Sequence, residues 1–88
     1  NYLKQLSASS WQAKVVKFAD ILANISDLKN SELTQKQKII QVKYKIKYFC
    51  AIKSGIIENK SKIPHLSEAE NSLNLVLDQY DQRKITLF

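Results

Sequence analysis

"KIIQVKYKIKYFCAIKSGII", Lys38 to Ile57, is the stretch whose reading decides the fold. Its isoleucines favour strands by propensity. Counted from Thr34, however, the segment runs for roughly 25 residues with no Pro and no turn signal before its last turns, against ~5–6 residues for an ordinary strand. Ile39, Ile40, Val42, Ile46, Phe49, Cys50, Ile52, Ile56 and Ile57 recur instead at helical spacing. The pattern predicts a helix over 34–58, with Thr34 as its cap and Gly55 in its final turns.

Working outward, the N-terminal side reads in the same way. Trp11, Val15, Phe18, Leu22 and Ile25 alternate at four and three residues, which marks one face of a helix over 11–29. Ser7, Ser9 and Ser10 supply capping oxygens before it, and Tyr2, Leu3 and Leu6 suggest a preceding helical turn. On the C-terminal side "ENKSKIPHL" is a linker, because Pro64 cannot continue a helix and disfavours helical geometry at Ile63. Ser67, with Glu70 three residues on, reads as a capping box opening a helix over 67–83 through Leu73, Val76, Leu77 and Tyr80. Three such helices form an all-α bundle.

The chain has 88 residues, enough for one small domain and no second one. One Gly and one Pro are too few for a turn-rich β protein. The net charge of +6 favours anionic partners, and most of the basic residues lie between Lys14 and Lys53. Cys50 has no disulfide partner and sits in an apolar run, where it reads as buried filler in a reducing compartment. No apolar run approaches the roughly 20 residues that span a bilayer, so no membrane and a cytoplasmic location are expected. A chain that opens on Asn1 and contains no Met is expected to be a fragment, a processed product or part of a longer chain.

One helix carries an anomaly. "VVKFADILANISDL", Val15 to Leu28, places Asp20, Asn24 and Asp27 on a narrow polar strip between apolar shoulders, Ile21 and Leu28 on one side and Val16, Ala19 and Ala23 on the other. Either the strip faces water and the alanines serve helix propensity, or the helix is enclosed on most sides. In the second case Asp20 and Asn24, four residues apart, share a polar pocket. A buried carboxylate there needs a metal or a Lys/Arg partner.

"AKVVKFADILANISDL" resembles the signature "KLADxxxNxxxL" of the HD-domain metallohydrolases in the RelA/SpoT homologue group, the guanosine tetraphosphate pyrophosphohydrolases. The matching positions are Lys14, Lys17, Ala19, Asp20, Asn24 and Leu28. "SASSWQ" before it and "KIIQVKYKIKYFCAIKSGI" after it are similar to the family's flanking segments, so the resemblance covers about residues 3–57. It implies the C-terminal portion of an HD domain and part of a Mn²⁺-dependent 3′-pyrophosphohydrolase acting on a guanosine polyphosphate nucleotide. Asp20 corresponds to one Mn²⁺ ligand, Asn24 and Asp27 to residues on the substrate side, and Tyr44, Lys45 and Tyr48 of the next helix to groups near the polyanion. A carboxylate oxygen suits Mn²⁺.

The family's "H…HD" ligands precede this signature, whereas the one histidine here, His65, follows it in the linker and reads as a packing residue. Ser26 and Asp27 stand where an Arg-Thr-like pair is common. The resemblance therefore implies that the remaining ligands come from a missing N-terminal half or a second chain, and that this chain alone is inactive. A different class of reading is a catalytically dead helical module whose basic second helix binds an acidic partner or nucleotide. Nucleic-acid binding is not expected: the lysines of that helix spread around it, and no helix-turn-helix spacing accompanies them.

Overall fold

The computed structural model describes residues 2–88. Four α-helices follow one another: α1 Tyr2–Ala8, α2 Trp11–Ser26, α3 Gln35–Glu58 and α4 Leu66–Gln79. Short 3₁₀ turns occupy Asp27–Asn30 and Lys60–Lys62, and the chain after α4 turns at 80–81 and continues without regular secondary structure. The all-α bundle expected from the sequence is the architecture observed. Helix α2 packs against both α3 and α4, while α1 packs on α3.

The caps explain where the helices begin. Ser10 accepts a hydrogen bond from the Ala13 amide and starts α2. Thr34 and Gln37 form a reciprocal capping box at the start of α3, each side chain accepting from the other residue's amide. Helix α2 ends at Ser26 rather than Lys29, and the last turn tightens to 3₁₀ geometry over Asp27–Asn30.

The start of α4 differs from the expectation. The helix begins at Leu66, preceded by His65 in the left-handed region at φ 59°, and no side chain caps it. Leu66 is 3% exposed, and burying it sets the entry of the helix one residue early. Glu70, expected to reach back to Ser67, instead accepts from the Leu87 amide at 2.6 Å. The helix ends at Gln79 rather than 83, because Asp81 adopts φ 57° and the chain turns back.

The core is a single cluster. Phe18, Ile21 and Ile25 of α2 meet Val42, Phe49, Ile52 and Ile56 of α3, Leu66, Leu73 and Leu77 of α4, and Tyr80 and Leu87 after α4. Phe18 and Phe49 pack edge to face at 5.4 Å. The buried face of α2 is thus centred nearer Ile21 than the sequence spacing suggests, and Trp11, Val15 and Leu22 are only half-buried. Cys50 is exposed, contrary to its reading as core filler: Phe49 and Ile52 hold the inward positions of that turn. Gly55 is buried under Lys14, whose Cδ lies 2.6 Å from where a Cβ would stand. No helix among the described residues is long and apolar enough to cross a membrane.

Candidate functional site

Asp20 and Asn24 lie one turn apart on the side of α2 that faces away from the core, and both are exposed. Of the two shoulders of the polar strip, the one formed by Ile21 and Leu28 is turned inward, with Ile21 buried and Leu28 half-buried, and the other is exposed. Val16 is 70% accessible, and Ala19 and Ala23 are open beside it. Within the described residues the strip is therefore not enclosed. It is part of a broad outward face in which a carboxylate and an amide stand among uncovered apolar side chains.

Lys17, three residues before Asp20, organises the proximal part of this face. Its ammonium donates to Asp20 Oδ2 at 3.2 Å. The same nitrogen lies 5.4 Å from the ring centres of both Tyr2 and Tyr48, which meet edge to face at 5.3 Å. Lys45 also lies over the Tyr48 ring, at 5.7 Å from its centre. A hydrogen bond with Tyr2 holds the Lys17 pKa above its ordinary value; partial burial works against this, and Asp20 adds to the rise. Lys17 stays a cation across the physiological range. Asp20, Lys45 and Tyr48 are thus gathered in one place, through two residues that the sequence reading did not assign to a site, Lys17 and Tyr2. The spacing of Lys17 to Asp20 was a visible signal; nothing local to Tyr2 announces its contact with Tyr48.

The other expected substrate residues lie elsewhere. Asn24 and Asp27 line an open hollow with Leu28, Asn30 and Ser31, where α2 passes into its 3₁₀ turn. Tyr44 lines a separate groove on α3 with Ile40, Lys43 and Lys47. His65 is exposed and pairs with Glu68 at 3.1 Å, at the entry to α4. Among the described residues no three His, Cys, Asp or Glu side chains converge as a metal site. Asp20 offers one carboxylate, already held by Lys17, so the described residues do not by themselves fit Mn²⁺.

The lysines of α3 also sort into two sets. Lys36, Lys43 and Lys47 are exposed along the outward face with Ile40 and Tyr44, while Lys38, Lys45 and Lys53 lie off that face and are half-buried. The lysines are thus spread around α3, and the exposed ones, Lys36, Lys43 and Lys47, share one stripe.

No known family, no curated protein and no solved structure matches the chain.

Proposed function

We propose that this chain is the C-terminal portion of an HD-type pyrophosphohydrolase acting on a guanosine polyphosphate nucleotide. The observation that carries the reading is the outward face of α2: Asp20 and Asn24 stand side by side, at the spacing of the signature they resemble, flanked by exposed Val16, Ala19 and Ala23. Apolar side chains in that position are what a covering segment would bury. The histidine ligands would arrive on that segment, from the same polypeptide or a second chain, and Mn²⁺ would be held only in the completed site. When bound there it would supply the polarised water for hydrolysis.

The residues of this chain have narrower tasks in that reading. Asp20 contributes one anionic oxygen, and Lys17 fixes its orientation until the site is assembled. Lys17 and Lys45 place two cations beside the Tyr48 ring, an arrangement that suits a polyphosphate with an attached planar base. Asn24 and Asp27 present an amide and a carboxylate to the nucleoside side.

The test is made in the natural polypeptide that contains this segment. Its remaining sequence is expected to include two histidines in an "H…HD" element. The Asp20→Ala variant is expected to lose Mn²⁺-dependent release of pyrophosphate from guanosine tetraphosphate while keeping its helical circular dichroism, since an exposed surface substitution costs within about 0.5 kcal/mol. Retained hydrolysis in that variant, or a polypeptide with no such histidines, overturns the reading.

A further inference from the structure

Helices α3 and α4 each turn an uncovered face to solvent, and the two faces complement one another. On α3, Ile40 (45% exposed) and Tyr44 (52% exposed) join Lys43 and Lys47 around a groove of about 290 Å³, with Lys36 exposed one turn before Ile40. The only acid in α3 is Glu58, its last residue. On α4, Leu75 is 68% exposed, Glu68 lies two turns before it and Asp78 one turn after, and both acids are exposed. An apolar floor ringed by cations therefore faces an apolar ridge bracketed by anions.

We propose that a second copy of this chain lays its α4 along the α3 groove in the antiparallel sense, with Leu75 seated level with Ile40 and Asn71 level with Tyr44. The spacings agree. Glu68 precedes Leu75 by seven residues and Lys47 follows Ile40 by seven, about 10.5 Å in each case at the ~1.5 Å rise per residue of a helix. Asp78 follows Leu75 by three residues and Lys36 precedes Ile40 by four, which brings that pair within about 1.5 Å of register. The antiparallel sense also sets the helix dipoles in opposition, which favours it over the parallel one. Lys84 shares a hollow with Leu75 and Asp78, and Glu68 already pairs with His65 at 3.1 Å, so each acid has a basic neighbour within its own chain and the contact relies first on Leu75.

Helix α2 packs against both α3 and α4 and holds the two faces apart on one core, so the groove takes the ridge of another molecule. The contact is heterologous: each copy offers one groove and one ridge. A phosphate backbone would leave Ile40 and Tyr44 without a role, and a membrane surface requires a broader apolar face than these two residues supply. A single helix-on-helix contact is smaller than the ~1,200 Å² of stable complexes, so the association is expected to be weak and to show only as the concentration rises.

Sedimentation equilibrium from about 0.01 to 1 mM protein tests this directly. The wild-type mass is expected to rise above 10.1 kDa with concentration and to fall back at high salt. A groove variant, Lys43→Glu with Lys47→Glu, and a ridge variant, Leu75→Lys, are each expected to remain monomeric with unchanged circular dichroism. Mixed together, the groove variant still offers a sound ridge and the ridge variant a sound groove, so a one-to-one dimer and nothing larger is expected. A wild-type chain that stays monomeric at 1 mM overturns the proposal. So does a ridge variant that associates like wild type, or a mixture that fails to dimerise. Salt-sensitive binding of the groove to anionic vesicles or duplex DNA without self-association would do the same and would assign the groove to those partners.

Discussion

Lys17 shows how one side chain ties the candidate site to the fold. Tyr2 raises its pKa most, so the proton is held more tightly in the folded chain than in the unfolded one. The resulting stabilisation is fully present below the unfolded value near 10.5 and is lost as pH rises through the higher folded value. Replacing Tyr2 by Phe removes the hydroxyl and keeps the ring against Tyr48. The Lys17 titration, followed by NMR at its ε-methylene, is expected to move down towards the ordinary lysine range; an unshifted titration would show that Tyr2 is not the cause. The adjacency of Asp20 and Asn24 was legible in the sequence, because four residues make one helical turn. The exposure of Val16, Ala19 and Ala23 was not, since it depends on which neighbours cover α2, and helical periodicity reports spacing alone.

At the scale of elements, the two ends of α4 show what local chemistry decides and what packing overrides. Thr34 and Gln37 formed the capping box that their spacing announced, whereas Ser67 and Glu70, spaced identically, did not. Burial of Leu66 moved the helix start, and the C-terminal segment recruited Glu70; both causes lie outside the four-residue window that the motif reads. The C-terminus of α4 closes as a Schellman turn: the Gln82 amide donates to the Leu77 carbonyl at 2.9 Å and the Asp81 amide to the Asp78 carbonyl at 3.1 Å. Asp81 occupies the left-handed position that Gly favours. Asp81→Gly is therefore expected to stabilise the domain by about 0.5–1 kcal/mol, the relief of left-handed strain less the entropy that Gly adds to the unfolded chain. A rise of a few degrees in Tm would be the readout, and a fall would mean that Asp81 makes a compensating contact.

For the whole molecule, the C-terminal tail is what completes the core. A chain of 88 residues buries a smaller fraction of its surface than a larger domain, so each buried side chain carries a larger share of the net stability. Three hydrogen bonds fasten the tail: the Ile85 amide donates to Asn74 Oδ1 at 2.8 Å, Asn74 Nδ2 donates to the Ile85 carbonyl at 3.0 Å, and the Leu87 amide donates to Glu70. Asn74 thus pairs with Ile85 as a neighbouring strand would, and it holds Leu87, 2% exposed, in the cluster with Leu73, Leu77 and Tyr80. Leu87→Ala is expected to cost about 2–5 kcal/mol in urea unfolding, a large part of what a domain of this size possesses. Asn74→Ala leaves the apolar contacts in place and removes the clasp, so its cost is expected near 1–2 kcal/mol for two partly buried hydrogen bonds. Hydrogen exchange separates the two effects. In Asn74→Ala the Ile85 and Leu87 amides are expected to lose protection while Phe49 and Ile52 in α3 keep theirs. Equal loss at all four amides would mean that the tail and the bundle unfold as one unit, with Asn74 supporting the core rather than fastening the tail.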